Sequence, residues 1–339
     1  MAGNVMGVDR RTFSAGLLMA LTAACNPQTQ GRAAPVEGGM WATWRDRYVD
    51  PAGRVIDTGN GRISHSEGQS YGLLFALQAG DRDAFERIAR WTQENLGRRD
   101  MALHAWRYDP RQADPVADLN NATDGDLVIA WALASAGQRW SQPDWLARSA
   151  QIRAAIRSHC VVSRYGRNLL LPGIEGFVES GQVTLNPSYF VWPALDAFAQ
   201  LDGPATWAGV IADCEALLGL ARFGSWHLPC DWVTLTRKDA LAPTPGRPPR
   251  FGYDAIRVPL WAVLGGRAAL VEPVAAYWRT ALERNRSIPA WIDVVTGQEA
   301  DYAISSGGAA VASRLLGTAA PTQLDTDYFS ASLQMIARL

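Results

Sequence analysis

Three stretches of this chain, LVIAWALASA at 127–136, YFVWPALDAF at 189–198 and AIRVPLWAVL at 255–264, are apolar on every side. A helix of that kind has no face for water and has to be surrounded by protein. Other segments repeat apolar residues at three- and four-residue steps with charge opposite. In 82–96, Phe85, Ile88, Ala89 and Trp91 to Leu96 form the stripe, and Arg and Glu fill the other side. The two kinds alternate: buried 67–79 precedes amphipathic 82–96, 124–137 precedes 142–159, and 254–265 precedes 267–285. Helices are expected at 37–49, 67–79, 82–96, 124–137, 142–159, 187–200, 205–221, 254–265, 267–285, 306–316 and 326–338. About twelve helices in hairpins of about 50 residues satisfy this alternation as two concentric layers. The expected fold class is all-α, an (α/α)6 barrel of six helix hairpins with inner and outer rings.

Pro193 predicts a kink in the helix at 187–200, and Pro259 sits within the one at 254–265. Residues 161–184 break the helical period with alternation and glycine, which predicts a short β-hairpin excursion. Residues 231–250, ending PTPGRPPR, are expected to be a Pro-rich loop. No low-complexity linker divides the chain after residue 36, so 36–339 is expected to be one domain.

Residues 1–35 are expected to be a signal peptide and tether. Arg10 and Arg11 precede an apolar stretch and then small residues, the anatomy of an export signal. Arg-Arg-Thr-Phe is similar to a twin-arginine signal, with an ordinary Sec signal as the alternative. Cys25 after Thr-Ala-Ala is a candidate lipidation site, and cleavage near Ala33–Ala34 is the other option. Export implies an oxidising periplasmic or extracellular setting, where Cys160, Cys214 and Cys230 form at most one disulfide. Their spacing fits no zinc motif. With four histidines and no His-Glu-x-x-His, no metal site is expected. A net charge of −1 gives no pull toward nucleic acid or an anionic membrane. The 14 tryptophans point weakly to carbohydrate, since sugars stack on indole, and helix packing accounts for about half of them.

Acids stand at the starts of expected inner helices: Glu67 in SHSEGQSYGLL, Asp124 and Asp126 in NNATDGDLVIAWALASAGQRW, and Asp254 in RFGYDAIRVPLW. Each has a plain reading as a cap. Ser64-x-x-Glu67 matches a capping box, and an acid at a helix N-terminus meets the macrodipole favourably. A barrel of hairpins changes the weighing, because parallel inner helices gather their N-termini at one mouth. Two carboxyls flanking a sugar bond are what glycoside hydrolysis requires, one protonated and one ionised. Burial and the neighbouring Asp124 charge then have to raise the acid's pKa against the helix dipole.

On these segments the sequence resembles glycoside hydrolase family 8, in particular the periplasmic endoglucanases encoded with bacterial cellulose synthases. SEGQSYGLLFAL is similar to the family's acid-bearing segment, and ATDGDLVIAWALASAGQRW to its signature, departing at Ala134. YDAIRVPLW is similar to the base segment, and NPSYF and DYFSASL also have counterparts. The resemblance implies an endo-β-1,4-glucanase (cellulase) that inverts configuration and needs no cofactor or metal; a monomer that binds no nucleic acid is expected beside it. Its substrate is a β-1,4-glucan, and a functional association with a cellulose synthase complex goes with it. It implies Glu67 as general acid, Asp254 as general base, and Asp124 as the residue binding and distorting the sugar at the cleavage subsite. Arg257 is placed to hold Asp254 by an i,i+3 pair, with an ordinary surface ion pair as the alternative. Tyr189 is a candidate contact to the water or base. Trp106 is a stacking platform or core filler. Asp126 is either a substrate contact, a cap or a supporting partner. Inversion requires acid and base about 6.5–9.5 Å apart, to admit the water.

The same chemistry on chitosan, xylan or mixed-linkage glucan is the first alternative. A serine esterase is another, because Gly68-Gln69-Ser70-Tyr71-Gly72 matches Gly-x-Ser-x-Gly with Ser70 as nucleophile and His227 as a candidate base. No strand–helix alternation accompanies that motif. A non-catalytic glycan-binding subunit is the third, and the presence of all the acids argues against it.

Overall fold

The structure, a computed structural model, describes residues 38–339. The readings of the leader, its cleavage and Cys25 therefore lie outside the described residues. The α-helices fall where the apolar period places them: α1 (Gly38–Tyr48), α2 (Ser66–Ala79), α3 (Arg82–Asn95), α4 (Thr123–Arg139), α5 (Pro143–Ala155), α6 (Trp192–Asp202), α7 (Pro204–Leu220), α8 (Arg257–Leu264), α9 (Glu272–Glu283), α10 (Ser306–Leu316) and α11 (Tyr328–Ile336).

Packing closes six of them into a ring. α2 contacts α4, α4 contacts α6, α6 contacts α8, α8 contacts α10, α10 contacts α11, and α11 returns to α2. The burial of each helix follows its sequence. α4 and α11 are buried nearly all round, whereas α3 buries the stripe Ala84, Phe85, Ile88, Trp91 and Thr92. α1, α3, α5, α7 and α9 lie outside the ring, and the connection 317–327 carries no helix where a sixth outer one is expected. The architecture is the (α/α)6 barrel. Tryptophans supply much of the filling, with Trp44, Trp192, Trp207, Trp261 and Trp278 all below 2% exposed.

Short strands cover one end: β1 (Ser64–His65), β2 (Arg107–Tyr108), β3 (Val161–Arg164), β4 (Arg167–Leu170), β5 (Val178–Glu179), β6 (Gln182–Leu185), β7 (Val233–Leu235), β8 (Leu241–Pro243), β9 (Arg250–Phe251) and β10 (Ile292–Asp293). The expected excursion at 161–184 is two hairpins rather than one. β3 pairs with β4 across Tyr165-Gly166, both at positive φ, the backbone that a two-residue hairpin turn demands. β5 and β6 join β7 and β8 in a four-stranded antiparallel sheet. The Pro-rich loop reading at 231–250 is therefore corrected. Val233, Thr234 and Leu235 are buried by pairing with β6, some fifty residues earlier in the chain. Strands of three residues carry too little period to announce themselves.

The proline readings also change. Pro193 does not kink a helix; it stands in the first turn of α6, where a missing N–H costs nothing. Residues 187–189 form a separate 3-10 turn. Pro259 is likewise in the first turn of α8, which begins at Arg257, so Asp254 lies in the turn that leads into the helix.

Candidate active site

The first turns of α2, α4 and α8 meet at one end of the barrel, while the first residue of α6, Trp192, lies against Gly265 at the end of α8. The expected capping box at Ser64 does not form. His65 caps α2, its Nδ1 accepting the Gly68 N–H at 2.9 Å, while Ser64 lies in β1. Glu67 is thus relieved of capping and remains partly exposed at 19%. At α4 the cap position is Ala122, which supplies no side-chain bond. Asp124 is not the cap either; its Oδ1 accepts the N–H of Gly125 at 2.8 Å.

Gly125 explains why these two acids can meet. A Cβ built there would lie 2.5 Å from Ser66 Oγ and 2.9 Å from the Glu67 backbone nitrogen. The first turns of α2 and α4 cross so closely that any side chain at 125 forces them apart. Gly125→Ala is expected to destabilise the protein by about 1–3 kcal/mol and to lower activity more than that loss of folded protein accounts for. Denaturant titration and specific activity on the same preparation check it.

Arg257 holds the cluster together. Its side chain is 2% exposed, and its Nη1 donates to Glu67 Oε2, to Asp124 Oδ2 at 3.1 Å and to the Tyr71 hydroxyl oxygen at 3.4 Å. Its Nη2 donates to Asp254 Oδ1 at 2.6 Å. The i,i+3 pair with Asp254 is present, and the surface ion pair alternative is excluded by burial. Glu67 and Asp254 therefore sit on different nitrogens of one guanidinium, each 19% exposed, with Asp124 behind them at 5%.

One positive charge cannot neutralise three carboxylates, one buried and two partly exposed, so the cluster retains protons near neutral pH. Burial pushes the Asp124 carboxyl up to about 7. Burial, and then the charges of Asp231 and Asp124, push Asp254 up to about 7. Burial draws Arg257 down to about 9, which still leaves it charged at neutral pH.

Asp254 is held from its other side by residues the sequence reading missed. Trp232 Nε1 donates to Asp254 Oδ2 at 3.0 Å. Asp231 Oδ1 accepts the backbone N–H of Asp254 at 3.1 Å and of Ala255 at 2.7 Å. Trp232 is fixed by Phe177, whose ring lies parallel at 6.0 Å, and by Arg247, 4.1 Å above its ring. The β6–β7 pairing delivers both Trp232 and the turn bearing Tyr189, and Asp-Trp inside an apparent loop offered no signal. Tyr189 faces the cluster, with the Arg257 guanidinium 5.8 Å from its ring centre. Next to the base, Tyr253 is 66% exposed while stacked on Phe329 at 4.4 Å. A cavity of about 360 Å³ beside it is lined by Asp231, Trp232, Arg247, Tyr253, Trp291 and Tyr302.

The remaining sequence candidates separate clearly. The Trp106 carbonyl accepts the Ser66 N–H at 3.0 Å, which puts this half-buried indole beside the start of α2, and its Nε1 donates to Asp118 at 2.6 Å. Asp126 is no substrate contact and no cap. It is 0% exposed and its oxygens are taken by His104 Nδ1 at 2.7 Å and Asn121 Nδ2 at 3.0 Å. Ser70 is not on a nucleophile elbow. It lies inside α2, fully buried, its hydroxyl donating to the Glu67 carbonyl at 2.6 Å. Ser70→Ala is expected to keep full glucan hydrolysis while costing about 0.5–1.5 kcal/mol of stability; loss of activity in a folded Ala variant would revive the esterase. Cys160, Cys214 and Cys230 are all buried free thiols.

Paired, partly exposed carboxyls over a buried arginine at the mouth of a helical barrel define a glycoside hydrolase. The model of glycosyl hydrolases family 8 matches residues 6–339. An endoglucanase of Cellulomonas uda is 40% identical over 278 residues, covering 82% of this chain and 77% of the relative. The crystal structure of a family 8 endoglucanase from Klebsiella pneumoniae superposes with a TM-score of 0.85 at 39% identity, covering 88% of this chain and 97% of that one. An endo-β-1,4-glucanase from Acetobacter xylinum gives 0.83 at 37% identity, covering 89% and 96%. The chain belongs to glycosyl hydrolase family 8.

Proposed function

We propose that the protein is an endo-β-1,4-glucanase that cleaves internal bonds of a β-1,4-glucan with inversion. The observation that carries this reading is the meeting of Glu67, Asp124 and Asp254, from three distant segments, on the guanidinium of Arg257. Glu67 protonates the glycosidic oxygen as its bond to C1 breaks. Asp254 takes a proton from a water that attacks C1 from the opposite face. Arg257 and Trp232 keep the base oriented, and Asp124 holds the sugar ring at the point of cleavage. Tyr253, with Trp291 and Tyr302 around the adjoining cavity, offers aromatic surface to neighbouring glucose units. The endoglucanase relatives support the polymer, and xylan, chitosan and mixed-linkage glucan become arms of the test. Export as a monomer, and work beside a cellulose synthase, rest on the leader and the sequence resemblance.

Reducing-sugar release from carboxymethylcellulose, with NMR of the first product, tests the reading. New reducing ends should appear first as the α-anomer. A β-anomer first, or release from xylan or chitosan alone, defeats it.

The base also sets a pH limb. Asp254 has to be ionised to accept a proton, and its carboxyl is raised to about 7, so kcat/KM rises as pH increases through that region. Asp231→Asn removes one of the charges that raise it. The acidic limb is then expected to move to lower pH, with the backbone bonds to residues 254 and 255 preserved by the amide oxygen. A limb that stays in place or moves up contradicts this role for Asp231.

A further inference from the structure

The turn that carries Glu67 is held by a side chain that helices rarely use for the purpose. Caps are usually Ser, Thr, Asp or Asn, and α2 is capped by His65. Its Nδ1 accepts the Gly68 N–H at 2.9 Å. A backbone N–H only donates, so Nδ1 carries no proton and the ring proton sits on Nε2. There it meets Asp57 Oδ2 at 3.3 Å. Both side chains are largely shielded, His65 at 15% and Asp57 at 10% exposed. The second Asp57 oxygen, Oδ1, accepts the Gly59 N–H at 3.0 Å, and the Asp57 backbone N–H donates to the Ile63 carbonyl at 2.9 Å. Asp57 is thus fixed by its own turn before it reaches His65. The His65 ring also packs nearly perpendicular to Tyr328, with 5.9 Å between ring centres.

Glu67 needs this support because of its neighbour. A Cβ at residue 68 would lie 2.5 Å from the Tyr328 hydroxyl oxygen and 3.2 Å from His65 Cε1, so that position has to be glycine. The residue after the acid is therefore the one with the freest backbone, in a first turn whose N–H groups have no partner within the helix. Before Glu67, the Ser66 N–H is tied to the Trp106 carbonyl at 3.0 Å. After it, the Gly68 N–H is tied to His65. That second tie holds only while Nδ1 keeps its lone pair, and which ring nitrogen carries the proton is set by the partner of the other.

We infer that Asp57 is a positioning residue for the general acid. It keeps the His65 proton on Nε2, and Nδ1 is thereby left to fix the peptide that follows Glu67. The inference rests on the reading of Glu67 as the acid.

Asp57→Asn tests it. The amide oxygen still accepts the Gly59 N–H, so the 57–63 turn survives, but the amide NH2 now faces His65 Nε2. Two donors cannot share that contact. The ring either withdraws or moves its proton to Nδ1, where it confronts the Gly68 N–H. On carboxymethylcellulose kcat is expected to fall about ten- to a hundredfold, with KM nearly constant. An aryl cellobioside with an acidic phenol needs no proton from the acid. Its hydrolysis should stay close to wild type, which also shows that the variant folds. His65→Ser supplies the rescue, because a serine hydroxyl caps the same N–H with no second nitrogen to satisfy. Added to Asp57→Asn, it should return kcat to that of His65→Ser alone. Full activity of Asp57→Asn on carboxymethylcellulose, equal losses on both substrates, or failure of His65→Ser to rescue each overturns the role. Glu67→Gln is measured alongside. Equal losses there defeat Glu67 as the acid and this role with it, whereas failure confined to the Asp57 variants leaves the reading of Glu67 standing.

Discussion

Glu67→Gln should lower kcat on carboxymethylcellulose by about 10²–10⁴-fold, the usual range for removing a general acid, with little change in folding stability. The amide is nearly isosteric and keeps an oxygen for Arg257, and His65 rather than Glu67 caps α2. What the variant lacks is a proton to give to the leaving oxygen. The need for that proton depends on the leaving group, which separates chemistry from structural damage. An aryl cellobioside with an acidic phenol leaves without protonation, so Glu67→Gln should hydrolyse it at a rate close to wild type. Equal losses on both substrates would falsify the assignment of Glu67 as the acid.

Removing Arg257 should have the second large effect, on stability and on pH dependence together. Arg257→Met leaves Glu67, Asp124 and Asp254 facing one another without a cation in a buried site. Breaking a buried ion pair by deleting one partner costs about 3–5 kcal/mol, and that cost is expected at pH 7. It should shrink toward pH 5, because the carboxylates then take up protons and the repulsion disappears. Urea unfolding of wild type and variant at both pH values measures the difference. A penalty of the same size at both would show that Arg257 acts through packing and not charge.

Wild type should carry a milder form of the same conflict. Asp124 and Asp254 are raised to about 7 in the folded chain, above the ordinary carboxylate value of about 3.9. Their protonated forms are favoured by folding, so the stability they contribute is fully present below that ordinary value. It is lost as pH climbs through the window up to about 7. The same climb ionises the base. The site becomes active over the range in which it becomes less stable.

Much of this was legible before any coordinates. The alternation of LVIAWALASA-like stretches with segments such as 82–96 implied an inner and an outer ring, because side-chain burial repeats with the local helical period. Glu67, Asp124, Asp254, Arg257 and Tyr189 were readable as a set from the likeness to a known family. The differences share a cause. Pro193 and Pro259 look like interior prolines in the sequence because a helix start is a local event that apolar residues on both sides conceal. Val233–Leu235 looks like loop because its strand exists through pairing with Val183–Leu185. Asp126 stands as a substrate candidate in the sequence because nothing along the chain distinguishes it from Asp124, two residues away. In space, one meets Arg257 and the other His104.

By itself, then, the sequence determined which segments are helical and which of them have no face for water, since both depend on the order of residues within a few turns. Only the tertiary structure decided that three carboxylates share a single guanidinium and that Asp231 and Trp232 grip the base. Charge balance in a dry site depends on separations of a few ångströms between segments as far apart as residues 67 and 257, and no spacing along the chain encodes them.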